Sequence, residues 1–372
     1  MVTAILAPLA AVAALAPPPP PHVLAAEIQA SPVAVTVLAP RGTSRLVCTV
    51  DARPAGACGR SPTFGLAPGR HTISVRAVDR RGRRSRARSV TIVVPQPAPA
   101  AVPVGGQPVG VAALGGDIWI SDGGAGTVVR LDTASRRVSA TVQVGGQLGS
   151  IAATPAAVWV SIFGGGELVR IDPARNAVER RIAVGGRPTG VAVAPDGAVW
   201  VGNLDGYLSR VDPATDQVTR VAMPSGVSTE LLARGLLWVG LQDGSVMAVD
   251  PAAQRPIGPA VQVAADVDAL VDTPAGIWVT TFGGTVALVD PATATVSHRR
   301  TLPSQGSGIA YGGGSVWASA YGSGLVVRLD PTTGALLGAV RTGAGPRESL
   351  VAAGVLWVLD QDDGTVTPVP VG

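Results

Sequence analysis

Seven tryptophans occur in this chain, and each sits in the same local context: DIWIS, AVWVS, AVWVG, LLWVG, GIWVT, SVWAS and VLWVL. They are Trp119, Trp159, Trp200, Trp238, Trp278, Trp317 and Trp357, spaced by 40, 41, 38, 40, 39 and 40 residues. In the first unit VGVAAL, DIWISD, TVVRLD and RVSATVQV are runs too short for helices, and each is bounded by Gly or a turn. A period near 40 with four strand-like runs per unit leaves few folds open. Each unit makes one sheet that cannot bury its faces alone, so the units must stack around a centre. The expectation is an all-β chain whose larger part is a seven-bladed β-propeller, with each Trp packed between neighbouring blades.

The punctuation keeps the same period. Between the third and fourth runs come LDTAS, IDPAR, VDPAT, VDPAA, VDPAT and LDPTT, so Asp132, Asp172, Asp212, Asp250, Asp290 and Asp330 each open a turn. Asp accepts backbone N–H groups and the Pro that usually follows presets φ, which suits a type I turn. GGQPVG, GGQLGS and GGRPTG join successive units, with glycines that let the chain double back. The seventh unit runs out after GTVTPVPVG without its fourth strand. Residues 102–107, VPVGGQ, match residues 142–147, VQVGGQ, at the end of the first outer strand. Segment 96–104 is therefore expected to supply the missing strand and close the ring, removing an open sheet edge.

Composition narrows the class further. Hydrophobic residues make up 47% of the chain but aromatics only 3%, a Val, Ala, Gly and Pro bulk that suits short strands and turns. Every basic residue is Arg, and the net charge of +4 hides a split. Residues 1–99 carry 12 Arg against Glu27, Asp51 and Asp79, whereas residues 100–372 carry 17 Arg against 22 acids. The larger part is thus acidic and lacks basic, aromatic stacking surfaces, which argues against a nucleic-acid partner. Residues 1–26 read as a signal peptide or apolar leader: MVTAILAPLAAVAALA is uncharged, five prolines follow, and VLAAE offers small residues for cleavage after Ala25 or Ala26. No Arg precedes Arg41, and the run falls short of the roughly 20 residues a spanning helix needs. A start upstream of Met1, carrying a membrane helix, is the other reading.

Residues 27–95 carry VAVTVLAP, RLVCTVDA, HTISVRAVD and RSVTIVV, runs that predict a small antiparallel β-sandwich. Cys48 and Cys58, the only cysteines, both fall in it. A lone close pair behind an apolar leader points to a disulfide formed outside the cytoplasm, against two unrelated buried thiols. The stretch CTVDARPAGACGRSPTFGLAPGRHTISVRAVDRRG resembles the Ig-like or fibronectin-like modules of bacterial surface proteins, which carry a similar cysteine pair and a GLxxGxHxxxVRAxDxxG signature. That resemblance implies a structural place for His71. Arg80, Arg81, Arg83, Arg84, Arg86 and Arg88 crowd one hairpin. This is either a solvated loop or a contact for an anionic surface such as wall polymer or lipid headgroups, since guanidinium donates bidentately to phosphate and carboxylate.

Units such as RIDPARNAVERRIAVGGRPTGVAVAPDGAVWVGN make residues 100–372 resemble the propeller superfamily that contains streptogramin lyases and YVTN-repeat surface-layer proteins. The resemblance implies a fold more than an activity, because one propeller frame hosts lyases, lactonases, sensors and adhesive scaffolds. Streptogramin lyases are understood to open a cyclic depsipeptide by elimination, with a central histidine base and a magnesium ion. This chain departs from that pattern. After residue 100 its only histidine is His298, in SHRR on an expected outer strand, and the propeller has neither Lys nor Cys. Carboxylates, Tyr or a metal-bound water are left as the reactive groups.

Aligning the repeats on Trp nominates a funnel site. Three residues after each Trp, at the exit of the second strand, stand Asp122, Ile162, Asn203, Leu241, Thr281, Ala320 and Asp360. At the start of the first strand, the alignment to Gly110 gives Ser150, Gly190, Thr229, Asp268, Gly308 and Glu348. Glu348, Asp360 and Asp122 are expected to meet where the last and first blades join, with Asp268, Glu230 and Asn203 around the ring. Those oxygens are candidate ligands for calcium or magnesium, or ordinary solvated turn carboxylates. The preferred reading is an exported surface or wall-associated protein without evident catalytic machinery, its Ig-like module a spacer or anchor and its propeller a platform for a protein or cell-wall polymer. A metal-assisted lyase or lactone hydrolase, and the sensor ectodomain of a longer membrane receptor, are the alternatives.

Overall fold

The computed structural model describes residues 16–371, so residues 1–15 of the expected leader lie outside the described residues. The chain divides into two compact units, Met1–Gln96 and Pro97–Gly372. Among the described residues no helix is long and apolar enough to cross a membrane. The one helical element described is the 3-10 turn Tyr321–Ser323.

In the smaller unit Arg53–Cys58, Thr43–Val50, Gly69–Asp79 and Arg88–Val94 form an antiparallel sheet in that spatial order. Alternation along HTISVRAV turns Ile73, Val75 and Ala77 into a core with Val33, Leu46 and Ile92. Cys48 and Cys58 are bonded, with Cα atoms 5.9 Å apart, so the exposed edge strand is tied to its neighbour. His71 bridges Asp51 Oδ2 at 2.7 Å and the Ala67 carbonyl at 2.8 Å. The Asp51 hydrogen bond raises the imidazole pKa, as suits a residue that pins two turns. Strand pairing begins ahead of the expected start at residue 27. His22–Leu24 already pairs with Thr36–Leu38, and Val23 and Ala25 pack on the core. Apolar residues after the proline run thus join the sheet, and cleavage after Ala25 or Ala26 would remove that strand. On the arginine hairpin Arg83 pairs with Asp79 at 2.8 Å, while Arg80, Arg84, Arg86 and Arg88 are exposed.

The larger unit is a β-propeller-like array of seven four-stranded antiparallel sheets among the described residues. In sheet 1 the strands, a to d from the centre outward, are Pro108–Leu114, Asp117–Asp122, Thr127–Asp132 and Arg137–Gln143. Strands a of sheets 2 to 7 are Leu148–Thr154, Pro188–Val193, Val227–Ala233, Val267–Thr273, Gly306–Gly312 and Pro346–Ala352. Each lies against the strand a before it, and that of sheet 7 lies against that of sheet 1. Sheet 7 takes its fourth strand from Val102–Pro103, which pairs with Thr365 and Val366. Val104 and Gly105 both donate to the Gly364 carbonyl at 3.0 Å, as Val144 and Gly145 do to Gly126 in sheet 1.

The tryptophans lie where one sheet packs on the next. Trp119 clusters with Ile151, Val158 and Val160 of sheet 2, and Trp159 with Val191, Val199 and Val201 of sheet 3. Trp278 donates its indole N–H to the Pro331 carbonyl of sheet 6 at 2.9 Å. Trp357 of sheet 7 packs with Ile118, Ile120 and Leu131 of sheet 1, which closes the hydrophobic circuit. Hydroxyls two residues after Trp add cross-links: Ser121 donates to the Gly149 carbonyl at 2.5 Å and Ser161 to the Thr189 carbonyl at 2.7 Å. The six repeat Asp residues cap their turns by accepting backbone N–H groups, as Asp330 does from Thr332 and Thr333. Outer strands carry Arg137, Arg180, Arg181, Arg220, Arg255, Arg299 and Arg341. Charge of this kind on an edge strand discourages pairing with another chain.

Candidate functional site

Strands a begin, and strands b end, on one face of the larger unit, where they surround a concavity of about 370 Å3. Every strand a breaks register with strand b just inside this face, between Pro108 and Gly110 in sheet 1 and at the matching place in the other six. Such bulges re-aim side chains, and here they bring consecutive residues to the concavity. Ser228 with Thr229 and Arg347 with Glu348 both line it, as do Asp268, Gln361, Phe163 and Leu204.

Charge in the concavity is concentrated on sheets 5 and 7. Asp268 comes from the strand Val267–Thr273, and Arg347 and Glu348 from the strand Pro346–Ala352. Arg347 donates to Gln361 Oε1 at 2.9 Å, which holds its guanidinium over the concavity. Loss of bulk water pushes Glu348 up to about 7, the nearby Asp268 charge adding to the rise and Arg347 opposing it. Asp268 is raised for the same first reason, with Arg347 and the Ser307 hydroxyl opposing. Both acids remain partly exposed, so water in the concavity reaches them.

Only Asp268 and Glu348 of the expected funnel residues line this concavity. Asp268 stands one place earlier than the Trp alignment implies: Ala269 pairs with Thr280 as Gly110 pairs with Ser121, which puts Asp268 in the row of Val109. Asp122 is buried, and its Oδ1 accepts N–H from Gln107 at 2.8 Å and from Gly124 and Ala125 at 2.9 Å. It pins the connector into sheet 1, and Gly106, at φ +54°, leaves room, since a Cβ there would lie 1.8 Å from Oδ2. Asp360 is buried and accepts from the Thr367 hydroxyl at 2.5 Å. Burial raises its carboxyl above the ordinary range. Asn203 is fully buried, donating to the Val201 carbonyl and the Ser209 hydroxyl.

Glu230 is a strut between sheets 3 and 4. Where sheets 1 and 2 carry Ser121 and Ser161, sheet 3 has Gly202, and the Glu230 carboxyl group fills the vacated space, its Oε1 accepting the Gly202 N–H at 2.9 Å. A Cβ on Gly202 would lie 2.7 Å from Glu230 Oε2, and one on Gly190 only 2.2 Å away. Oε2 is buried without a hydrogen-bond partner. Burial pushes this carboxyl up to about 8, so it holds its proton at neutral pH.

Among the described residues no three of His, Cys, Asp and Glu come together in a group that could hold a metal ion. Asp122 and Asp360 are committed to backbone amides and hydroxyls, so the trio with Glu348 that the repeat alignment nominated for calcium or magnesium is not assembled. His298 lies on the outer strand Thr295–Thr301.

One row escaped sequence analysis. Four residues after Trp stand Gly123, Phe163, Leu204, Gln242, Phe282, Tyr321 and Gln361. Phe163, Leu204 and Gln361 line the concavity, and Phe282 is 55% exposed. Tyr321 donates to Asp362 Oδ1 at 2.7 Å. In a chain with only three Phe and three Tyr, three aromatics at one repeat position are a signal that was open to reading.

Comparison with known proteins bears on the fold. Residues 109–249 match a family model described as a domain of unknown function, DUF5074. No curated protein matches the chain. Among solved structures, hydrazine synthase of Kuenenia stuttgartiensis is similar, with a TM-score of 0.65 and 18% identity over 71% of this chain and 95% of that one. At this identity the likeness shows a shared fold alone.

Proposed function

We propose that this chain is an exported surface or wall-associated binding protein that presents the mouth of a seven-bladed propeller, akin to the streptogramin-lyase-like and YVTN-repeat propellers, to a partner. An Ig-like module then serves as spacer or anchor. The observation that carries the reading is the concavity where Asp268, Arg347 and Glu348 converge with Phe163 and Leu204 in one lining. Convergent polar groups under an apolar rim are what a recognition site requires, and an exposed aromatic is the common anchor. The partner is a protein or cell-wall polymer, and the hairpin bearing Arg80, Arg81, Arg83 and Arg84 adds a screened attraction to its anionic groups.

Co-sedimentation of the full chain with isolated cell envelope tests this. Phe163→Ser with Phe282→Ser is expected to weaken binding by about tenfold or more, as loss of central anchors does. Arg80→Glu with Arg84→Glu is expected to weaken it only at low salt. Envelope binding that ignores the aromatic pair contradicts the reading.

A second reading rests on Glu348. A carboxyl pushed up to about 7 beside a second acid is poised for general acid or base work on a lactone or cyclic ester. Turnover of such an ester, abolished by Glu348→Gln and indifferent to chelators, would favour it over a scaffold.

A further inference from the structure

We propose that the mouth takes an organic cation with an apolar body, its amine or quaternary ammonium group seated between Asp268 and Glu348 and its apolar part against Phe163 and Leu204. This rests on the mouth being the binding face and names the class of ligand it receives.

Several independent features lead there. Asp268 and Glu348 stand on sheets 5 and 7, near enough for the Asp268 charge to disfavour that of Glu348, and neither closes an ion pair with Arg347. Two acids facing one cation leave a negative charge unmet, and a bound cation supplies what is missing. Glu230, whose buried Oε2 has no partner, abuts Gly190 in the opposite wall. The connectors and hairpins on this face carry Asp205, Asp243, Asp266, Asp362 and Asp363 against Arg187, so the approach is acidic as well. An acidic rim steers cations inward, and aromatic faces on the rim attract them further. On sheets 2 to 4 the wall changes to Thr189, Ser228 and Thr229 under Phe163 and Leu204, with no charge to offer an anion.

Proton linkage follows from the groups that face the pair. Asp268, Arg347 and the Ser307 hydroxyl act on it from sheets 5, 7 and 6, Gln361 holds Arg347, and Glu230 stays protonated across the concavity at neutral pH. With Glu348 at about 7, a cation at pH 5 must displace a proton, whereas at pH 8 the carboxylate is already charged. Cation affinity is expected to rise by about tenfold between pH 5 and 8.

Calorimetry and thermal shift on the full chain supply the test, with benzyltrimethylammonium and phenethylamine compared against neutral phenethyl alcohol and anionic phenylacetate. The cations are expected to bind saturably, and the alcohol and the acid about tenfold more weakly or not at all. Asp268→Asn and Glu348→Gln, which keep shape and remove charge, should each weaken the cations by about tenfold, while Glu179→Gln on an outer strand leaves them unchanged. The wild-type contrast between cation and isosteric alcohol needs no variant, so a misfolded mutant cannot obscure the result. Preference for phenylacetate with loss on Arg347→Gln would overturn the cation inference yet leave the mouth as the site. Failure of every probe, with envelope binding still lost in the aromatic double variant, would overturn it in the same way. Cation binding untouched by both acid substitutions would place the ligand elsewhere.

Discussion

Deleting residues 96–104 is expected to lower the melting temperature of the larger unit by about 10 °C and to make it prone to aggregate. The deletion removes the strand Val102–Pro103, and with Val104 gone the Gly364 carbonyl loses a donor. Val102 and Val104 also pack on the cluster that joins Trp357 of sheet 7 to Ile118 and Ile120 of sheet 1. Two partly buried valines and a few backbone hydrogen bonds contribute about 4 kcal/mol together. In a unit of this size each kcal/mol shifts the midpoint by about 2 to 4 °C. The strand Thr365–Pro370 would meanwhile become an open edge, a template for another chain. Calorimetric scans of the two chains side by side would show the loss, and an unchanged midpoint would mean that the ring is held without its fourth strand.

Glu230→Gln is expected to stabilise the protein at pH 8.5 and to do little at pH 5. The folded carboxyl titrates at about 8 and the unfolded one at 4.5. Below 4.5 both states hold the proton and the group contributes no pH dependence. Between 4.5 and 8 the unfolded chain releases its proton while the folded chain keeps it, so stability falls as pH rises through that window. Glu348, raised to about 7, pulls in the same direction up to neutrality. The partial exposure of Glu230 and the unpaired amide nitrogen of Gln both reduce the gain, which leaves about 2 kcal/mol at pH 8.5. Denaturant melts at the two pH values should therefore differ less for the variant than for the wild type, the remaining difference coming from groups such as Glu348. Equal pH dependence in both would mean that Glu230 is charged and solvated rather than a protonated strut.

What was legible in the sequence and what was not divide on a physical line. The Trp period, the apolar runs and the Asp turns placed strands a to d of the first unit to within a residue of Pro108–Leu114, Asp117–Asp122, Thr127–Asp132 and Arg137–Gln143. Each of those signals is local, and the repeat supplies seven copies of it. The pairing of Cys48 with Cys58 was legible for a similar reason, two cysteines in one short segment. The site was harder because it depends on which way individual side chains turn. Asp268 was misplaced by one because it stands ten residues before Trp278, whereas Gly110 stands nine before Trp119; the nine-residue match is Ala269, which pairs with Thr280 as Gly110 pairs with Ser121. Asp122 and Asp360 resemble ligands in sequence but face backbone amides and hydroxyls of their own connectors and strands. Glu230 is explained only by Gly202 and Gly190, 28 and 40 residues before it, which leave the space it fills. The aromatic row was present all along, one residue beyond the position where the alignment stopped.

Hydrogen exchange of the full chain, free and bound to isolated cell envelope, reports whether a partner sits at the mouth without presuming its identity. Slowed exchange is expected in peptides covering residues 146–150, 187–190, 266–269 and 346–348, the bulged starts of strands a around the concavity, with outer strands such as Thr295–Thr301 unchanged. Protection confined to the outer strands or to the smaller unit, with the mouth exchanging as in the free protein, would contradict it.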